Sequence, residues 1–127
     1  MSTRIFIAFA VEDVRYRDSL VAQAKNDKSP VEFIGMPAKE SWNEKWKIYC
    51  RARVKGCKGV VALISKNTAQ ADGELWEIQC AYEHGIPVKL IWIDDERPAL
   101  PALIKGKRIN IWSWDNLKTF IDQLRTT

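Results

Sequence analysis

Histidine and cysteine are scarce in this chain: His84 is the single histidine, and Cys50, Cys57 and Cys80 are three thiols without a CxxC spacing. A zinc site of the usual four-ligand kind cannot be assembled from them, so no metal is expected and the cysteines should be reduced, partly buried thiols. A Ser-His-Asp or Cys-His device would have to rest on His84 alone, at the far end of a helix that stops directly after it. GxGxxG, GxxxxGK(S/T) and GxSxG are all missing, which removes the dinucleotide fingerprint, the phosphate loop and the hydrolase nucleophile elbow. No apolar stretch reaches the roughly 18 to 20 residues that span a bilayer. The start, Met-Ser-Thr-Arg, leads into a short strand-like run rather than the apolar core of a signal peptide, so a cytoplasmic protein without a membrane partner is expected. Basic runs are missing too. The net charge of +4 and the pI near 9.0 come from scattered Lys and Arg with acidic residues between many of them, a distribution that does not single out nucleic acid as a partner.

What the chain does have is an ordinary globular balance: 127 residues, 46% apolar and 28% charged, the size of one domain over 1–127. Apolar runs alternate with helical patterns. "RIFIAFA" (4–10), "SPVEFIGM" (29–36), "GVVALIS" (59–65), "VKLIWID" (88–94) and "KRINIW" (107–112) read as five strands, the third central because it is the most apolar. Between them Val14, Leu20, Val21 and Ala24 mark one helix. Trp42, Trp46 and Tyr49 line one face of a second, with Ser41 as N-cap. A third helix over 72–84 ends at Gly85 and Pro87, and Leu117, Phe120, Ile121 and Leu124 mark a last one that Ser113 can cap. "DERPALPALIKG" permits only a short helix or an irregular turn. Strands joined by helical crossovers predict an α/β fold, a flavodoxin-like doubly wound open sheet of five mainly parallel strands, with ligands outside the carboxyl ends of the strands.

Those ends narrow the chemistry. A phosphoreceiver needs an Asp after the third strand, and the chain offers Ile64-Ser65-Lys66-Asn67, so that reading fails for want of a carboxylate nucleophile. What remains is Phe9 and Asp13 after strand one, the 36–46 loop after strand two, Ser65 to Thr68 after strand three, and Glu77 on the next helix. Taken alone, Glu77 reads as a partner of the helix dipole, worth about 0.3 to 1 kcal/mol. Leu75, Ile78 and Tyr82 make the packing stripe of that helix, which turns Glu77 away from the core.

With "RIFIAFAVEDVRYRDSLVAQAKN", "SPVEFIGMPAKESWNEKWKIYCRARVKGC", "VVALISKNT" and "LWEIQCAYEHGIPVKLIWI", the chain resembles TIR-like domains of the bacterial and archaeal branch, the group that includes the TIR-like component of Thoeris antiphage defence. "SWNEKWK" and "WEIQCAYEHGIPV" carry most of that resemblance. It implies a catalytic glutamate at Glu77 that cleaves the nicotinamide-ribose bond of NAD, with NAD as substrate and no other cofactor. The physics agrees with it. Breaking an N-glycosidic bond builds oxocarbenium-like charge on the ribose, which a fixed carboxylate stabilises. Nicotinamide is already a cationic group while bonded to the ribose, so no strong general acid is needed. Capture by water gives ADP-ribose, and internal capture a cyclic isomer. The resemblance further implies a diffusible nucleotide signal that reaches a separate effector protein.

Two positions depart from the family pattern: Gly73 stands where many members have a Trp, with Trp76 adjacent to Glu77 instead, and Ala8 replaces the usual first-strand Ser. Each remaining substrate-site candidate has two readings. Trp42, Trp46 and Trp76 can stack on a base or pack. Phe9 can flank the ligand or end a buried strand. Asp13 and Arg15 can meet ribose or phosphate or simply start a helix, and Lys39 can meet phosphate or stay solvated. Ser65, Asn67 and Thr68 can bind substrate or make the turn. Two alternatives to the NAD-cleaving enzyme stand beside it: a self-associating assembly module with an idle Glu77, and a nucleoside (deoxy)ribosyl transferase.

Overall fold

The computed structural model describes residues 3–35 and 44–125. Five strands, β1 (Thr3–Ala8), β2 (Val31–Ile34), β3 (Gly59–Ile64), β4 (Val88–Trp92) and β5 (Ile109–Ile111), form one sheet. Its order is β2-β1-β3-β4-β5, and every neighbouring pair is parallel. The strands lie where the apolar runs placed them, β3 in the centre, with β2 and β5 shorter than the sequence suggested. β2 runs only from Val31 to Ile34, with Ser29, Pro30 and Gly35 outside the strand, and Met36 lies outside the described residues.

Four helices, α1 (Val14–Asn26), α2 (Glu44–Lys55), α3 (Asp72–Glu83) and α4 (Trp114–Arg125), cover the sheet on both sides. Successive strand side chains point to opposite faces. Ile5, Ile7, Val61, Leu63 and Ile91 pack with Leu20 of α1 and with Leu117, Phe120, Ile121 and Leu124 of α4. Phe6, Ala8, Val60, Ala62, Ile64 and Leu90 pack with Cys50 and Val54 of α2 and with Ile78, Cys80 and Ala81 of α3. Coverage of both faces is why β3 is buried from end to end. Each large apolar side chain so buried contributes roughly 1.5 to 3 kcal/mol.

The 95–108 segment forms no regular helix, as its prolines demand, although Leu100, Leu103 and Ile104 pack onto the α2–α3 side. Gly59 lets α4 close down on β3: a Cβ there would meet Leu124 Cδ1 at 2.5 Å. Gly85, at φ +65°, ends α3 as the sequence indicated. Ser113 also behaves as expected, its Oγ accepting the Asn116 N–H at 3.3 Å.

One expected helix face is wrong. Trp46 is half-buried, but Tyr49 is 54% exposed, and α2 buries Cys50 and Val54 instead. Aromatic size had outweighed the smaller residues in fixing the stripe. The Ser41 cap and Trp42 lie outside the described residues.

Candidate active site at the carboxyl rim

From β1 the chain turns towards β2, and from β3 it turns the opposite way towards β4, so the crevice of this topology opens at the carboxyl ends of β1 and β3. The strand-end residues meet there. Asp13, in the 3-10 turn Val11–Asp13 after β1, is buried and accepts two hydrogen bonds from the loop after β3: from Ser65 Oγ at 2.6 Å and from Asn67 Nδ2 at 3.0 Å. The loop also holds itself. Ser65 Oγ accepts the Asn67 backbone N–H at 3.0 Å, and Thr68 Oγ1 accepts the Ser65 N–H at 3.0 Å. A carboxylate with charge-assisted donors is well satisfied in a buried place, which makes Asp13 a brace between two loops.

Thr68 begins the short turn that delivers α3. The Ala8–Ala62 register pair places two small side chains on the sheet face that this helix covers. The buried side of α3 is not the expected Leu75, Ile78 and Tyr82. Leu75 and Tyr82 are only half-buried, and Glu74, Glu77, Ile78 and Ala81 form the inward stripe. Glu77 is 7% exposed and Glu74 2%. The expectation of an outward, dipole-paired Glu77 is therefore overturned: it lies beyond the first turn and inside the protein, while the acidic residues of the first turn are exposed Asp72 and buried Glu74. The wheel failed because it counted only apolar residues as inward.

Burial sets the electrostatics. It pushes the Glu77 carboxyl well above the ordinary carboxylate range, and the neighbouring Glu74 pushes it further. Glu74 is raised in the same way by burial, reinforced by the charge of Asp13 and partly opposed by the nearby Thr68 hydroxyl. That hydroxyl does not satisfy it: neither carboxyl oxygen of Glu74 has a hydrogen-bond partner. Cys50 on α2 also feels Glu77, its thiol raised first by burial and then by that carboxyl. No set of His, Cys, Asp and Glu suited to holding a metal occurs among the described residues.

The other candidates separate. Trp76 packs in the α2–α3 seam, its Nε1–H donating to the Lys47 carbonyl at 3.3 Å, with the Lys47 ammonium and the Arg51 guanidinium about 5 Å from the ring centre. Trp46 packs on the core, and a Cβ at Gly73 would lie 3.5 Å from its Cη2. Where the family resemblance expects an indole on α3, the ring beside that position comes from α2. Phe9 belongs to the opposite sheet face, beneath the Arg17 guanidinium. Arg15 is exposed and lies over the Tyr16 ring instead of turning to Asp13. Lys39 and Trp42 fall outside the described residues. Glu74 was missed as a site residue, although its i, i+3 relation to Glu77 was visible in the sequence.

No family model matches the chain, and no curated protein matches it. Solved structures do match. The TIR domain of the Toll-related receptor TRR-2 from Hydra magnipapillata superposes with a TM-score of 0.73 at 12% identity, covering 93% of this chain and 97% of that one. The fold is TIR-like. A 2-deoxyribosyltransferase from the psychrotolerant bacterium Bacillus psychrosaccharolyticus shares the TIR-like arrangement less closely, with a TM-score of 0.63 at 16% identity over 91% of this chain and 90% of that one. At such identities the likeness is one of fold, and the chemistry has to be argued from the side chains.

Proposed function

We propose that the protein cleaves N-glycosidic bonds, with NAD as substrate and Glu77 as the catalytic carboxylate. One observation carries the reading: a carboxyl that local helix physics would leave in solvent is instead buried, with its proton affinity raised, on the helix that follows the central strand β3. Functional sites are where burial is used to perturb a carboxyl in this way. Once ionised in a low-dielectric site, Glu77 stabilises the positive ribosyl centre far better than it could in water. The departing nicotinamide becomes neutral as the bond breaks, so the carboxylate faces a growing charge on the sugar alone. Asp13, Ser65, Asn67 and Thr68 shape the rim and hold the turn from which α3 starts.

Water, or an internal nucleophile of the substrate, captures the ribosyl centre, and a cyclic or otherwise modified ADP-ribose would serve as a signal to an effector protein in Thoeris-type antiphage defence. A second reading, base exchange on a (deoxy)nucleoside, is favoured by the likeness to the 2-deoxyribosyltransferase. Both use Glu77 and differ in substrate. Incubating the protein and Glu77→Gln with NAD, or with a deoxynucleoside plus a second free base, separates them by chromatography. Nicotinamide release that vanishes in the variant supports the first, whereas exchange without nicotinamide release replaces it by the second. Equal turnover by the parent and Glu77→Gln refutes both.

A further inference from the structure

Glu74 has no part in the chemistry just described, and although the helix dipole favours an acidic residue in the first turn of α3, it does not require that residue to be buried. It is only 2% exposed, on the same inward stripe of α3 as Glu77, and neither of its oxygens finds a donor. Residues three apart on a helix are surface neighbours, with Cβ atoms roughly 5 to 6 Å from each other. Two carboxyls this close in a medium of low dielectric cannot both ionise freely, because the second charge is repelled by the first and has no water to screen it. The groups bearing on the two are few. Asp13 reaches Glu74 from the turn after β1, the Thr68 hydroxyl from the turn before α3, and the Cys50 and Cys80 thiols flank Glu77 from α2 and α3. Among the described residues no cation figures among the charges that act on either carboxyl.

We propose that Glu74 and Glu77 form a coupled pair that carries at most one negative charge, in which Glu74 keeps its proton and Glu77 is the member that ionises. The asymmetry follows from position. Glu74 is the less exposed of the two and lies next to the hydrogen-bonded Asp13, whereas Glu77 keeps a small exposed area. Glu74 is thus a positioning residue: it touches no substrate and sets the pH at which Glu77 becomes a carboxylate. The role rests on reading Glu77 as the reacting carboxylate; the pairing itself does not. Ionisation of Glu77 releases one proton to water. A substrate that is cationic at the scissile bond favours that release on docking, while an uncharged nucleoside gives it no such help, so the pair selects for N-glycosides of cationic bases.

The pairing is tested by infrared titration of the full-length protein carrying carboxyl-labelled glutamate, comparing the parent with Glu74→Gln and Glu77→Gln, and using Glu74→Met if the first variant does not fold. Two high glutamate midpoints are expected in the parent. The upper one should disappear in Glu74→Gln, and the Glu77 midpoint should fall by about one pH unit or more. A Glu77 midpoint that stays in place, or an upper midpoint that survives Glu74→Gln, overturns the pairing. This readout needs no turnover, so it stands whether or not NAD is cleaved. Where nicotinamide release is measurable, the acid limb of its pH profile should move down by the same interval in Glu74→Gln. A purely structural Glu74 would lower the plateau and leave that limb where it is.

Discussion

Replacing Glu74 by methionine should make the protein more stable, against the usual rule for buried positions. The side chain is almost wholly buried, and both carboxyl oxygens lack partners. A buried polar group left unsatisfied costs about 1 to 3 kcal/mol, and an apolar residue of similar volume removes that penalty while retaining the packing. The gain depends on pH, with a definite sign. Burial raises the folded-state affinity of Glu74 for its proton above that of the unfolded chain. Its contribution is therefore most favourable below the ordinary carboxylate range and is lost as pH rises through the folded value, because the folded state then holds a proton that the unfolded state has given up. Each such group contributes a slope of about 1.4 kcal/mol per pH unit across that window. Glu77, raised in the same direction, adds a slope of the same sign. Denaturant titrations of the parent and Glu74→Met should therefore show a gain of about 1 to 3 kcal/mol at pH 4, where the carboxyl is protonated but unpaired, and a larger gain at pH 8. For a domain of this size the gain at pH 4 raises Tm by on the order of 5 to 10 °C. A variant less stable than the parent at pH 8, or with an unchanged pH dependence, would refute the reasoning.

Other substitutions probe the frame around the pair. Asp13→Ala leaves Ser65 Oγ and Asn67 Nδ2 without their acceptor, and chemical denaturation should show a loss of about 2 to 3 kcal/mol. Gly59→Ala drives a methyl group into Leu124 and Phe120, which should cost about 1 to 3 kcal/mol. In a double-mutant cycle Leu124→Ala should cost less in the Gly59→Ala background than alone, and strict additivity would contradict the close approach. Cys50, Cys57 and Cys80 are buried, and burial raises each thiol. They should react with a chromogenic disulfide at the rate of global opening in the native protein and at once in denaturant. Rapid native labelling would argue against the packing of α2.

The strands were legible because a parallel sheet covered on both faces writes continuous apolar runs, and "RIFIA" and "GVVALI" are such runs. The meeting of Asp13 with Ser65 and Asn67 was foreseeable from topology alone, since both loops leave the carboxyl ends of adjacent strands. What could not be read was which side of α3 faces inward. A hydrophobic pattern assigns the core by apolar content, and here two carboxyls occupy core positions while Leu75 is only half-buried. Such a break between pattern and fold is what the role proposed for Glu77 would require. The same limitation hid the narrow face of α2, where Cys50 and Val54 are buried and the larger Tyr49 is not.

The alternation of side chains across the sheet divides the molecule for anyone who wishes to alter it. Ile5, Ile7, Val61 and Leu63 look towards α1 and α4, away from the carboxyl pair, while Phe6, Ala8, Val60 and Ala62 look towards the helices beside it. α4, with Leu117, Phe120, Ile121 and Leu124 in one apolar stripe, is therefore a place to adjust thermal robustness with the sheet standing between the change and Glu77. A mutational library confined to that side should vary melting behaviour while leaving the titration of the rim untouched, whereas one confined to α2 and α3 should change both together.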